Sequence, residues 1–346
     1  MSATQEMGTA RSAAETLVWS RGLLDPALRE VVAELPPVMR RIAAYHFGWR
    51  DEEDRPARGG AGKAIRPALT LLCAEAVGGT AADALPAAVA VELAHNFSLL
   101  HDDVMDGDLT RRHRATAWSV FGANAAILAG DALLAAAFEV VAAAPGPAAR
   151  GAVGVLSRAM LELVEGQSAD MAFEERADVA LAECLAMASG KTAALMGASC
   201  ALGGMFGGAT RERVERLRAF GEGLGLAFQL VDDLLGVWGD PAVTGKPVYS
   251  DLRNRKKSLP VVAALASGTD AGRELRTLYL AKEPLGDAEL ARAARLVEDA
   301  GGRAWASRRA DELMTGALAE LAMAAPEPPA HRELDAVARL VTRRDH

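Results

Sequence analysis

Cysteine is scarce: Cys73, Cys184 and Cys200 are the only three in 346 residues, and no two form a CxxC pair. Three are too few for a disulfide framework, so the chain is read as folding in a reducing interior with each cysteine a small core residue. Aromatics are only 5% of a composition that is 51% hydrophobic. Its apolar mass is therefore Ala, Leu and Val, which favours helices over sandwiches. Basic charge is short as well, with 38 Lys and Arg against 46 Asp and Glu, a net charge of −8. That sign argues against a general nucleic-acid binder or a binder of anionic membranes, and any polyanionic ligand must be met locally. No apolar run approaches the roughly 18 residues of a membrane span. The opening MSATQEMGTARSAAE has neither a basic n-region nor an apolar h-region. A cytoplasmic protein without stable membrane insertion is expected.

Proline is absent from residues 87 to 144 and again from 148 to 240. Long helices fit these stretches. Val89, Leu93, Phe97, Leu100 and Val104 advance by three or four residues, and so do Val214, Leu217, Leu224, Phe228, Val231 and Leu235 with one double step. Both are helical stripes; strand alternation is nowhere sustained. Helix connections are expected at 55 to 62, Gly78-Gly79, 145 to 147, Gly203-Gly204, Gly207-Gly208 and 326 to 329. None is long or polar enough to link domains. Residues 1–15 are expected to be mobile, and 16–346 to form a single helical domain.

Two acidic clusters stand out. In HDDVMDGDLTRR, Asp102 and Asp106 lie one turn apart and Asp103 beside them, at the expected end of the first striped helix. Like charges on one face repel, and a helix C-terminus is the wrong end of the dipole for anions, so a bound cation is expected there. Asp232 and Asp233 are expected to end the second striped helix, with Gln229 one turn before them. Carboxylates with water in the remaining positions suit Mg²⁺, which is commonly shared with substrate phosphates. Basic residues follow each cluster: Arg111 and Arg112 after the first, Lys246, Lys256 and Lys257 after the second. Taken alone, each cluster reads more readily as a solvated helix end than as a metal site.

Together the segments GKAIRP (62 to 67), VELAHNFSLLHDDVMD (91 to 106), AGDALL (129 to 134), EGQSAD (165 to 170), GKTAAL (190 to 195), FQLVDD (228 to 233) and GKPVYSDLRNRKKSLP (245 to 260) resemble, in order, the motifs of the trans-isoprenyl diphosphate synthases. The resemblance implies an all-α orthogonal bundle of long helices around a deep cavity, normally a homodimer. It implies Mg²⁺ as cofactor, three ions with substrate bound, held by Asp102, Asp103, Asp106, Asp232 and Asp233 against an allylic diphosphate. Arg111, Lys191, Lys246 and Lys256 would complete that clamp, with Gln229 orienting the metal shell or the cation. Lys63, Arg66, His95 and Arg112 would bind the diphosphate of isopentenyl diphosphate. Two departures stand out. The second aspartate motif reads DDLLG, with Gly236 where a third carboxylate is expected, and in the GKAIRP segment Ala64 replaces an arginine.

The chemistry needs such residues. Breaking an allylic carbon–oxygen bond leaves a carbocation and a diphosphate, whose charge divalent ions and fixed Lys and Arg stabilise. A dry, oriented cavity then brings the cation to an alkene. Phe97, five residues before Asp102, would sit about 7.5 Å down the helix as a floor for the growing chain, with small Ser98 beside it. This pattern resembles that of short-chain synthases and points to geranylgeranyl diphosphate. A class I terpene cyclase on the same scaffold and a non-catalytic subunit of a heteromeric synthase are the alternatives. Glu92 and His95 also make an ExxH pattern, but a di-iron bundle needs a second one and none occurs. His101 is expected to orient an aspartate or to serve structurally, and Asp131 and Gln167 to join helix-to-helix hydrogen bonds.

Overall fold

The computed structural model describes residues 10–342 except 58, 60, 61, 242–247 and 282. Its helices are α1 (Ala13–Ala33), α2 (Pro37–His46), α3 (Ile65–Ala76), α4 (Ala81–Met105), α5 (Ala117–Phe121), α6 (Ala123–Ala143), α7 (Ala148–Glu175) and α8 (Leu181–Ala188). A π-helical turn, Ser189–Ala193, joins α8 to α9 (Ala194–Phe206). There follow α10 (Arg211–Trp238), α11 (Ser250–Arg253), α12 (Leu259–Leu265), α13 (Asp270–Leu280), α14 (Asp287–Asp299), α15 (Gly302–Met323) and α16 (Pro328–Thr342). Among the described residues the only sheet is a hairpin of β1 (Thr110–Arg111) and β2 (Arg114–Ala115). The all-α reading holds.

The chain forms two compact units. The first comprises residues up to Arg158, Ala198–Arg218 and Leu321–Val337; the second comprises Ala159–Gly197, Ala219–Glu320 and the residues from Ala338. In the first unit α4 packs along α3 and α6, with Val89, Ala90, Val91, Leu93 and Leu100 buried. A helix apolar nearly all round belongs in the middle of a core, and the Thr80–Asp83 capping box fixes where it starts. Of the stretch expected to be mobile, residues 1–9 lie outside the described residues. Arg11 is held by Glu333 (2.8 Å) and Glu75 (2.7 Å) and stacks over Trp19. Ser12 and Glu15 form the capping box of α1.

The second unit is built on two apolar clusters. One gathers Phe173, Met187, Leu230, Leu234 and Val262, and the other Leu252, Val261, Leu275, Leu290 and Val297.

Three expectations are corrected. Gly203-Gly204 lies inside α9, not in a connection; there α9 passes close over the Thr70 carbonyl of α3. Asp232 and Asp233 lie within α10, which continues to Trp238. Finally, α6 is long and apolar enough to cross a membrane by length and composition, with mean hydropathy 1.9 in an 18-residue window. Asp131 and Glu139 break the run without lowering the average enough to exclude it, and a core helix passes the same test. The three cysteines are buried thiols, as expected.

Candidate active site

In the first unit α4 ends at Met105 and Asp106 is its C-cap. Asp103 is buried at 1% exposure, Asp102 is half-buried and Asp106 exposed. Arg111 Nε donates to Asp103 Oδ1 at 2.6 Å, while Asp103 Oδ2 is buried with no hydrogen-bond partner among the described residues. Burial raises the Asp103 pKa and Arg111 works against it. A buried carboxylate oxygen without a partner is costly unless something cationic or protic meets it. No three acidic, histidine or cysteine side chains among the described residues make a ready cage for a metal. Mg²⁺ usually takes one or two carboxylates and completes its shell with water and phosphate, so this open donor set fits a shared ion.

The hairpin after α4 places the arginines. Its two turn residues, Arg112 and His113, have φ of 51° and 61°, as a tight hairpin turn requires. Sequence reading missed this hairpin because strands of two residues leave no alternation. Ala64 (φ 48°), Tyr249 (φ 64°) and Arg255 (φ 49°) are also left-handed. Ala64 adjoins Lys63, Arg255 adjoins Lys256 and Tyr249 lies two residues before Asp251, and backbone strain of this kind gathers at ligand sites.

Behind the hairpin lies a nest of cations. Arg66 Nη1 sits 3.3 Å from His95 Nε2, and Arg66 Nε is buried without a partner. Burial pulls the Arg66 pKa down to about 10, against the pull of Glu92. His95 is held well below the histidine range by burial and then by Arg66, Arg112 and Arg111, so its ring is neutral. Arg112 is also pulled down by burial. His46, on α2, donates from Nε2 to Asn96 Oδ1 (3.1 Å) and is pushed down to about 3 by burial and by Arg112 and Arg111. Sequence reading did not single out His46; a lone histidine near a helix end carries no signal. Glu92 is the buried carboxylate among these groups, its own pKa raised by burial. Within the nest Arg66 Nε and Glu92 Oε2 are each buried without a hydrogen-bond partner among the described residues. Lys63 is exposed just before α3.

Phe97 is 7% exposed and its ring packs against His101 at 4.6 Å. Ser98 is buried and bonds back to the His95 carbonyl. The His101 ring faces the Ile127 carbonyl (3.0 Å) and Asp131 (3.6 Å) of α6. His101 therefore ties α4 to α6, the structural alternative of the two weighed.

In the second unit Lys191 rides on the π turn and its Nζ meets Asp170 Oδ2 at 2.6 Å. Such turns occur often at functional sites. A methyl group at Gly166 would stand 2.3 Å from the Lys191 backbone nitrogen; only glycine lets α7 run this close to the turn. Gln229 Oε1 accepts from Thr192 (2.6 Å) and Nε2 donates to Asp233 Oδ1 (2.8 Å). Asp233 Oδ2 accepts from the Leu259 backbone (2.8 Å). Both oxygens of Asp233 are engaged, and burial lifts its pKa to about 6. Asp232, by contrast, is exposed. Burial works against the Lys256 ammonium, but Asp233, Asp251, Asp170 and Asp232 outweigh it and hold its pKa above the usual lysine value. Lys246 lies outside the described residues.

The place of the missing third carboxylate of the second motif is taken up by another acid. A Cβ on Gly236 would stand 2.3 Å from Asp251 Oδ2, so the Asp251 carboxylate covers the position where that side chain would begin. Sequence reading passed over Asp251 because it lies fifteen residues downstream of Gly236. An 870 Å³ cavity in the same unit borders Gly166 and Gly190 and is rimmed by Glu162, Glu165, Arg176 and Glu183. It is not lined by the carboxylates expected to hold metal.

Comparison with known proteins agrees with this chemistry. The family model described as polyprenyl synthetase matches residues 57–297. The chain is 50% identical over 325 residues to a (2E,6E)-farnesyl diphosphate synthase of Mycobacterium tuberculosis, covering 93% of this chain and 90% of that one. It is 45% identical over 321 residues to a geranylgeranyl diphosphate synthase of the same organism, covering 92% and 91%. The crystal structure of a polyprenyl synthetase from Streptomyces coelicolor superposes with a TM-score of 0.91 at 46% identity, over 94% of this chain and 98% of that one. A cationic nest beside an aspartate-bearing helix end, within a fold and sequence shared across almost the whole length of these proteins, places the chain in the polyprenyl synthetase family as a trans-prenyltransferase.

Proposed function

We propose that this enzyme condenses isopentenyl diphosphate with an allylic diphosphate and releases geranylgeranyl diphosphate, working as a cytoplasmic homodimer whose residues 16–346 act as one catalytic domain. The observation that carries the reading is the grouping of Arg66 and Arg112 with neutral His95 around one buried carboxylate, Glu92, with the buried Arg66 Nε left without a hydrogen-bond partner, adjoining the aspartates of α4. Arg66, Arg112 and Lys63 take the diphosphate of isopentenyl diphosphate. Neutral His95 accepts from Arg66 and holds its fork in place.

Asp102, Asp103, Asp106 and Asp232 are the residues that would hold Mg²⁺, with Asp251 as the third carboxylate of the second cluster. When bound, three such ions would neutralise the charge that develops on the leaving diphosphate. Arg111, Lys191, Lys246 and Lys256 grip the same diphosphate. Asp233, with both oxygens used inside the protein, orients Gln229 and the start of α12 and stands behind Asp232. As the allylic carbon–oxygen bond breaks, the cation adds to the isopentenyl double bond, a carbon–carbon bond forms, and the proton lost from the adduct passes to the departing diphosphate. Phe97 limits the tail.

Product analysis by mass spectrometry, with Mg²⁺, isopentenyl diphosphate and five-, ten- or fifteen-carbon primers, tests the reading. A twenty-carbon diphosphate from each primer is expected. A product that stops at fifteen carbons would move the floor nearer the site. Hydrocarbon without elongation would replace the reading by a cyclase, and turnover only on adding a homologous chain would replace it by a subunit.

A further inference from the structure

We propose that a groove along α2, in the first unit, is a second binding site for a diphosphate bearing a short apolar chain. The groove measures about 380 Å³ and is lined by Arg29, Arg40, Arg41 and Arg50, by Trp49, and by one carboxylate, Asp54. Four guanidinium groups around one hollow is a strong local excess in a chain of net charge −8. Asp54 is the one acid on the groove's lining, and it lies only loosely against Arg50, at 3.9 Å, while Arg55 holds both Asp51 and Glu53.

The arginines are fixed yet have donors to spare. Arg40 bonds the Ala33 carbonyl, Arg41 the Glu52 carbonyl and Arg50 the Asp54 carbonyl. Each such bond occupies one of the five N–H groups on a guanidinium. Arg29 lies over the Trp49 ring at 4.4 Å, and Trp49 stacks on Phe47, so this fork is presented edge-on. Pro37, the first residue of α2, also lines the groove, and its N-cap Pro36 makes no side-chain cap. The uncapped amides and the helix dipole add to the pull on an anion. Planar forks suit the paired oxygens of phosphates. Trp49 and Val32 give the groove an apolar wall, and its volume lies in the ~300–1,000 Å³ range of small-molecule sites.

The groove is wired to the hairpin that carries Arg111 and Arg112. Arg114 donates to the Arg50 and Tyr45 carbonyls (both 3.1 Å), and the Tyr45 hydroxyl donates to the Ala115 carbonyl at 2.8 Å. A ligand that draws in Arg50 therefore bears on the backbone beside the substrate nest.

Titration calorimetry on the full chain with Mg²⁺ and inorganic pyrophosphate tests the site, comparing wild type with Arg29→Gln/Arg40→Gln and with Arg50→Gln. All three arginines are exposed, and circular dichroism checks that the variants fold. Two pyrophosphates per wild-type chain are expected and one in the double variant. Arg50→Gln should weaken the second site about tenfold, and turnover at low substrate should be unchanged in both. A single wild-type site lost in the double variant would sustain the groove and remove pyrophosphate from the catalytic centre. Equal stoichiometry in wild type and double variant would overturn the proposal. So would variants that keep both pyrophosphates but lose sedimentation with phosphatidylglycerol vesicles, since the arginines would then serve a lipid surface.

Discussion

Cations gathered about the buried carboxylates Glu92 and Asp103 shape the electrostatics of the α4 region, and the consequence can be measured one residue at a time. His46 is neutral in the folded protein, with a pKa of about 3 set by burial and by Arg112 and Arg111, whereas an unfolded chain protonates it near 6.5. Between these values the unfolded state binds the extra proton, so stability is retained above pH 6.5 and falls as the pH drops toward 3. The slope for one proton is about 1.4 kcal/mol per pH unit. His95 is displaced in the same direction and adds to it. Denaturant melts of His46→Gln across pH 4 to 7 should show a shallower acid loss than wild type, by roughly one proton; identical slopes would mean that His46 takes up its proton alike in the folded and the unfolded chain. Arg66→Leu should raise the KM for isopentenyl diphosphate by at least about tenfold, since a charge-assisted fork is worth roughly 1.5–3 kcal/mol. An unchanged KM for this substrate would remove Arg66 from the nest.

Backbone approach decides what the elements can carry. At Gly166 a methyl group has no room beside the Lys191 nitrogen. Gly166→Ala must therefore push the π turn away from α7 and pull Lys191 from Asp170. Overpacking of this kind costs about 1–3 kcal/mol. A fall in both Tm and kcat is expected, with KM for isopentenyl diphosphate little changed, and a variant with wild-type kcat would show that the turn does not place Lys191. At Gly236 the consensus side chain is blocked by Asp251. Gly236→Asp alone should thus lower apparent Mg²⁺ affinity in calorimetric titration, while Gly236→Asp with Asp251→Gly should recover it. Tighter binding by the single variant would show that Asp251 is not the substitute.

These elements also show what a sequence can and cannot reveal. The long helices and the acidic pair on α4 were legible because period and charge are local properties of the chain. The π turn, the two-residue hairpin and the meeting of Gly236 with Asp251 were not, because each depends on a neighbour distant in sequence. The extent of α10 beyond Asp233 was missed for a related reason: a carboxylate pair resembles a helix end, yet here Asp232 is exposed while Gln229, Leu259 and Lys256 compensate the burial of Asp233.

For the molecule as a whole, membership of the polyprenyl synthetase family settles the reaction class, while relatives named for fifteen- and twenty-carbon products share the chain's length almost equally. Under the proposed function, product length depends on local bulk at the floor formed by Phe97. Phe97→Ala should lengthen the product distribution by one or more five-carbon units, read by mass spectrometry; products no longer than wild type would leave Phe97 as ordinary packing against His101. The proposed reaction requires the aspartates of α4 and Asp232 of α10 to act on one allylic diphosphate. A double-mutant cycle on kcat/KM for the allylic substrate tests it most directly, using Asp102→Ala, Asp232→Ala and the pair. Each single change should cost at least about 10²-fold, and the pair little more than the worse single, since groups acting as a unit are non-additive. A double variant whose loss equals the product of the two single losses would contradict the account.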